Sequence, residues 1–321
     1  SAASDVYKET GVKVKTGTAG KNRSSKKYQL FFMVFPFLIL LFLFSYLPLY
    51  GWVYSFFDYR PPKSLSDCAF VGIDWFRSMV STPEKRLQLW EVLRNTFVMS
   101  GLGLLTSWMP MAFAILLSEI RNRHFKKAVQ TLTTIPNFIS WVLVYSMAFS
   151  LFSTSGMMNT FLQQLGILSK PVQFLQDNTH TWLSMWLWGQ WKGLGWGAIM
   201  YLAAISGIDQ ELYEAARVDG AGRFRLIWHI TVPSLLPTFF VLLIMNVANF
   251  LNNGMDQYFV FQNAFNTSKI QVLDLYVYNL GIKAGNYSLA TAISMLKSIV
   301  SVTLLFTVNG ISKVLRGESI V

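Results

Sequence analysis

Residues Glu214 to Pro237 read E-A-A-R-V-D-G-A-G-R-F-R-L-I-W-H-I-T-V-P-S-L-L-P, a polar island between two apolar runs long enough to cross a bilayer. Leu212, Ala215 and Ala216 share one face of a short helix, and the small alanines would let another backbone come close. Asp219-Gly220 then turns the chain. A second short amphipathic helix is expected to carry Phe224, Ile227, Trp228 and Thr231 on one side and Arg223 and Arg225 on the other. Pro233 and Pro237 would mark re-entry into the membrane. A helix, a turn and a helix between two spans read as a docking surface.

Composition sets that island in a membrane. Of 321 residues, 53% are hydrophobic and only 13% charged, too apolar for an ordinary soluble domain of this length. The net charge of +11 gathers at the ends of apolar runs with no aromatic-basic recognition module, which excludes a nucleic-acid binder. Cys68 is the sole cysteine, so no internal disulfide can form. Residues 1–27 read as a disordered basic cytoplasmic tail. The apolar run behind them is too long for a signal peptide and lacks a small-x-small cleavage site, so it reads as a retained helix.

Six stretches, near 28–51, 93–118, 128–152, 182–206, 235–254 and 288–310, have the roughly 20 residues that a helix needs to cross the hydrocarbon. Helices are the expected spanning form, because the alternation of a membrane barrel is absent. These spans make up a transmembrane domain, 28–310, with a cytoplasmic loop at 207–234 and a C-terminal tail at 311–321. Sixteen Lys/Arg lie in the N-terminal tail, at Arg121 to Lys127, in the Glu214 loop and in the C-terminal tail, against eight in the other loops plus Arg94 at a span edge. That bias puts both termini and the Glu214 loop in the cytoplasm. Gly101 and Gly103, and the series Gly189, Gly193 and Gly197, are candidates for close helix packing.

The string Glu214, Ala215, Ala216, Asp219, Gly220, Ala221, with Ile230 and Pro233 closing it, resembles the cytoplasmic Glu-Ala-Ala loop of permease subunits in type I binding-protein-dependent ABC importers. Spans two to six resemble the five-helix core of that family, and the first span is an addition common in its sugar permeases. The stretches Asn252 to Gln257, Asp274 to Tyr278 and Tyr287 to Ala292 are similar to the polysaccharide branch, in particular to the larger permease of alginate-oligosaccharide importers. The maltose-importer permease departs, having a large inserted outer domain where this chain has a loop of about 35 residues. The resemblance implies an all-α permease of the bacterial inner membrane. It implies a second homologous permease, two cytoplasmic ATPases holding ATP and Mg, and a periplasmic or extracellular solute-binding protein. It also implies that the helix around Glu214 couples ATP hydrolysis to alternating access.

No enzyme constellation emerges, and no cofactor or metal site is expected on this chain: His124, His180 and His229 lie far apart, and Gly17 to Lys21 lacks the spacing of a phosphate loop. The polar residues inside the spans are the better lead, because a charge near the bilayer centre is costly unless it faces water, a partner or a ligand. Lys192 lies midway along the fourth span, beside Gln190, Trp191 and Gly193, and Lys297 has similar depth in the sixth. Asn246, Asn249 and Asn253 follow i, i+3, i+7 spacing and are expected on one helix face beside Phe250. Amides over the rings of Trp191, Trp196 and Phe250 suit a sugar, whose hydroxyls need donors and acceptors and whose ring faces are apolar. Gln190, Lys192, Gly193, Asn246, Phe250 and Asn253 fall at or beside positions resembling the sugar-contacting face of the maltose-importer permease, where Lys192 replaces an uncharged residue. The expected cargo is therefore an acidic oligosaccharide with a uronate near Lys192. Two other readings stand beside it: one in which helix carbonyls or Asp256 hold both lysines and the asparagines join helices, and one in which the cargo is neutral. An ion-gradient transporter fits less well, since the spans are almost bare of Asp and Glu.

Overall fold

A computed structural model describes residues 21–176 and 178–316. The expected tail at 1–27 lies outside these up to residue 20, and the C-terminal tail lies outside them from residue 317. Among the described residues the chain is helical with no strand, apart from one isolated bridge between Phe57 and Phe70. It divides into two compact units, one ending at Val53 and one beginning at Tyr54.

The first unit holds α1 (Lys21–Leu41), which runs on through a π-turn at Phe42–Tyr46. Residues Lys21 to Lys27 are thus helical, where the sequence reading put the end of a disordered tail. Pro36 sits inside α1, as membrane helices tolerate, and the side chains from Phe31 to Tyr50 are all exposed.

The second unit carries α2 (Asp74–Ser78), α3 (Pro83–Leu105), α4 (Met109–Ser118), α5 (Arg123–Thr134), α6 (Trp141–Phe152), α7 (Met157–Gln164) and α8 (Thr181–Ser206). It continues with α9 (Gln210–Val218), α10 (Arg223–Ala248), α11 (Asp256–Phe261), α12 (Thr267–Ile270), α13 (Leu273–Tyr278) and α14 (Tyr287–Arg316). Side-chain caps fix several starts. Thr82 accepts the Lys85 N–H, Asn122 those of His124 and Phe125, Ser140 that of Leu143 and Asp209 that of Glu211.

Five helical runs are long and apolar enough to cross a membrane: Phe31–Phe56, Pro83–Ser118, Trp141–Gln164, Arg223–Ala248 and Tyr287–Gly310. The expected fourth span, α8, has 26 residues, about 39 Å of helix. Its length suffices, but Gln190, Lys192 and its many glycines and tryptophans keep it out of the apolar set. The expected second span begins at Pro83, earlier than foreseen, and breaks at Thr106 to Trp108. The expected third span is not one helix: α5 gives way to a 3-10 turn at Ile135–Phe138, where Pro136 has no N–H to offer, and Ser140 restarts the chain as α6.

Three cores hold the second unit together. One joins Ala114 and Ile115 of α4 to Ala198 and Tyr201 of α8 and Leu235 of α10. There α8 makes its most extensive packing, against α4, and Gly195 approaches α5 so closely that an added Cβ would collide with the Thr133 carbonyl. Gly197 packs on Pro110 and Gly189 near Gln257, whereas Gly101, Gly103 and Gly193 face open space, so the four-residue series packs at its two ends and the closest approach is at Gly195, outside it.

The other two cores form around residues 249–286, which fold into a wedge of short helices against the ends of α3, α6, α8 and α14. Ile270, Val272 and Leu275, fully buried, meet Met99, Val144 and Met185, while Leu273 and Tyr276 meet Val92 and Ile293. Polar ties fasten it: Asn95 donates to the Ser268 and Gln271 oxygens, Thr96 accepts the Leu273 N–H, Gln257 donates to the Met185 oxygen and Trp182 to that of Lys269. Burial, and then the nearby Asp274 charge, raise the Tyr258 phenol well above its ordinary pKa, and burial raises that of Tyr276.

Candidate functional site

The Glu214 loop is a nine-residue helix with a defined start and stop. Asp209 caps α9 at 3.0 Å from the Glu211 N–H. At the other end the Ala221 N–H reaches the Ala216 oxygen and the Gly220 N–H that of Arg217, a Schellman ending that needs Gly220 at φ +78°. Glu214 and Ala215 are exposed and Ala216 half-buried. Tyr213 ties α9 to α10 through Thr231, oxygen to oxygen at 2.9 Å.

The expected second short helix is not separate. Arg223 opens α10, which passes through a π-turn at Ile227–Thr231 and continues past Pro233 and Pro237 to Ala248. The wider turn just ahead of Pro233 accommodates the missing N–H, so neither proline breaks the helix. Leu226 and Thr231 are the buried residues there, while Phe224 and Trp228 stand 89% and 71% exposed, so the face expected to carry Phe224, Ile227, Trp228 and Thr231 is not buried as a unit.

The pathway candidates are not gathered on one wall. Lys192 donates to the Pro136 and Asn137 oxygens at 3.0 and 2.7 Å and lies over the Trp141 ring, so it caps the carbonyls that the α5–α6 break leaves free. Of the two readings of this lysine, its contacts follow the one in which carbonyls hold it. Lys297 pairs with Asp274 rather than Asp256, and the second Asp274 oxygen accepts the Gly254 N–H at 2.9 Å. Both partners are largely buried, with side chains 14% and 19% exposed.

The asparagine face is also corrected. Because α10 ends at Ala248, Asn246 is helical and exposed, Asn249 closes the helix by donating to the Met245 oxygen, and Asn253 lies in the following turn. Asn253 donates to Ser100 Oγ at 2.9 Å, and Ser100 donates to the Phe250 oxygen. The Oδ1 of Asn253 is buried without a hydrogen-bond partner among the described residues. Gln190 and Trp186 both donate to Thr106 Oγ1, at 3.3 and 3.1 Å. Ser100 and Thr106, six residues or about 9 Å apart along the second span, thus back the candidates on α8 and those just after α10 alike, and nothing in their local sequence marks them out.

The three expected aromatic walls point three ways. Phe250 meets Phe97 and Trp196 meets Phe138 edge-on, while Trp191 lines an aromatic cavity of about 670 Å3 with Trp188, Phe152, Phe174 and Phe261. Most polar groups of that cavity are engaged within the chain: Asn266 bonds the Phe261 oxygen, Thr181 that of Asn178, and His180 is not free. Among the described residues, no group of three or more His, Cys, Asp or Glu could hold a metal ion.

Residues 111–311 match the model of a family described as the binding-protein-dependent transport system inner membrane component. The LplB protein of Bacillus subtilis (strain 168) is 37% identical over 303 residues, covering 92% of this chain and 93% of its own. From the same organism, the polygalacturonan/rhamnogalacturonan transport system permease protein YteP is 36% identical over 297 residues, covering 92% and 90%. The crystal structure of a bacterial ABC transporter involved in the import of the acidic polysaccharide alginate contains a chain that superposes with a TM-score of 0.80 at 29% identity, covering 92% of this chain and 98% of that one.

Proposed function

This chain belongs to the family of binding-protein-dependent transport system inner membrane components, and from that premise we propose that it is one of two homologous permeases lining the pathway of an ATP-driven importer of acidic oligosaccharides. A sugar ABC importer permease is a pathway-forming subunit, not an enzyme. ATP and Mg belong to two cytoplasmic ATPases, a solute-binding protein delivers cargo from outside, and both termini lie in the cytoplasm of a bacterial cell. Six spans, with α8 as the fourth, make up the membrane domain.

The observation that carries the ATP-driven reading is the exposed, doubly terminated α9 joined to an unbroken α10. Tyr213 and Thr231 fasten α9 to α10, so displacement of α9 by an ATPase passes into a rod of 26 residues, about 39 Å long. The far end of that rod reaches Asn246 and the Asn253 turn. Glu214 offers a carboxylate to a basic group on the ATPase. Mass spectrometry of proteins that co-purify with the chain in mild detergent tests this: a protein with nucleotide-binding motifs should accompany wild type and be lost with Glu214→Arg. A chain that comes down alone in both cases overturns the coupling role.

The acidic cargo is supported by the alginate and polygalacturonan relatives and by free polar capacity along the proposed pathway. Exposed Asn246 and Asn249 can bond sugar hydroxyls, Phe250 and Asn253 follow them in the chain, and Gln190, Trp191 and Gly193 flank Lys192 on α8. Lys192 gives two of its three N–H groups to carbonyls, leaving one for a uronate oxygen. Lys297, paired with Asp274, positions the wedge and does not touch cargo. The contacts of Lys192 also favour a second reading, a neutral oligosaccharide, since the ammonium is already held. Transport into proteoliposomes of the assembled importer separates the two: Lys192→Gln should slow uptake of an acidic oligosaccharide far more than that of a neutral one. Equal slowing of both assigns Lys192 to holding the helix break.

A further inference from the structure

A cleft of about 640 Å3 opens where the α4–α5 turn, α9 and the start of α10 meet. Three arginines from three different segments line it: Arg121 after α4, Arg217 on α9 and Arg223 at the first position of α10. None has an ion pair or side-chain hydrogen bond among the described residues, and Glu119 is the only carboxylate in the lining. Three planar guanidinium groups, each with five donors, thus border one space with little in the protein to accept them. Ile120, Ile205 and Leu226 give the same cleft an apolar floor.

Its depth narrows the choice of ligand. Ser118 ends one membrane-crossing run and Arg223 begins another, so the cleft lies at the level where hydrocarbon gives way to headgroups. Exposed Phe224 and Trp228 in the first two turns of α10 are the aromatic anchors expected at that level. A basic pocket between membrane helices on the cytoplasmic side suits an anionic phospholipid headgroup, and arginine matches phosphate oxygens in paired hydrogen bonds. We infer that this cleft is a binding site for the phosphate headgroup of an anionic phospholipid of the cytoplasmic leaflet. The lipid braces the coupling helix α9 against the α4–α5 turn. The inference rests on the proposed topology for the choice of leaflet.

The test reads lipid directly. The full chain, purified without ATPases, is placed in phosphatidylcholine nanodiscs with or without phosphatidylglycerol, and lipid still bound after transfer to mild detergent is counted by native mass spectrometry. Wild type should retain phosphatidylglycerol over phosphatidylcholine. Arg121→Gln and Arg223→Gln should each lower retention about five-fold and the double variant by the product. Lys126→Gln/Lys127→Gln, which removes charge from the neighbouring α5 outside the cleft, should leave it unchanged. Equal retention by wild type and the arginine double variant overturns the site, as does an equal loss with the lysine pair, which would mean diffuse surface attraction. Displacement of the lipid by inorganic phosphate overturns the lipid in favour of a free anion. Retained lipid binding with loss of ATPase capture in the arginine variants makes the cleft a protein contact instead. Because ATPase capture decides the importer reading and lipid counting decides this one, either can fail alone.

Discussion

The Glu214 loop and the wedge at 249–286 are both connectors between membrane helices, and they are built in opposite ways. The wedge turns its apolar residues inward and ties its polar groups to α3, α8 and α14: Ile270, Val272 and Leu275 are fully buried, and Asp274 holds both Lys297 and the Gly254 N–H. The loop leaves Leu212, Val218, Phe224 and Trp228 outside, 52–89% exposed. Apolar surface that the chain does not cover itself marks where another molecule docks. One connector completes the chain's own packing, and the other is finished by a partner.

The sharpest way to break this contrast is at the Asp274 ion pair. Lys297→Met should destabilise the chain by about 3–5 kcal/mol, because a buried carboxylate loses its counter-charge, and adding Asp274→Asn should restore most of the loss. Thermal unfolding of both variants in detergent measures it; no recovery in the double variant would mean that packing rather than charge fastens the wedge. Close behind, Leu275→Ala should cost about 2–5 kcal/mol by leaving a cavity in the wedge core. The same unfolding measurement checks it.

Gly220→Val should cost about 1–2 kcal/mol, since φ +78° strains an L side chain while the space around it is open. Its main expected effect is functional: ATP hydrolysis should continue while coupled uptake in proteoliposomes fails. A Gly220→Val importer that transports normally would remove the turn from the coupling path. Tyr258 gives the wedge a pH signature. With its pKa raised in the folded state, its contribution is fully present below the ordinary tyrosine value of about 10 and drains away as pH climbs from there toward the folded value. Stability measured from pH 9 upward should decline, and Tyr258→Phe should blunt the decline. The smallest effect is expected in the loop: Val218→Ala, at an 88% exposed position of α9, should change unfolding by no more than about 0.5 kcal/mol yet weaken ATPase capture in a pull-down.

The helical membrane class, the short helix at Glu214 and its stop at Gly220 were legible in the chain, because each depends on neighbours along it: apolar runs of spanning length, the 3.6-residue period, and a glycine where only φ above zero ends the helix. Boundaries read less well. Pro233 and Pro237 suggested a break that a π-turn absorbs, and Pro136 made one inside an apolar run. What only the tertiary structure decided is where the polar groups inside the spans find partners. Lys297 meets a carboxylate 23 residues away and Lys192 meets carbonyls about 56 residues away that exist as free acceptors only because a helix breaks there. A buried charge must be satisfied by whatever the fold brings near, and no local pattern encodes that choice.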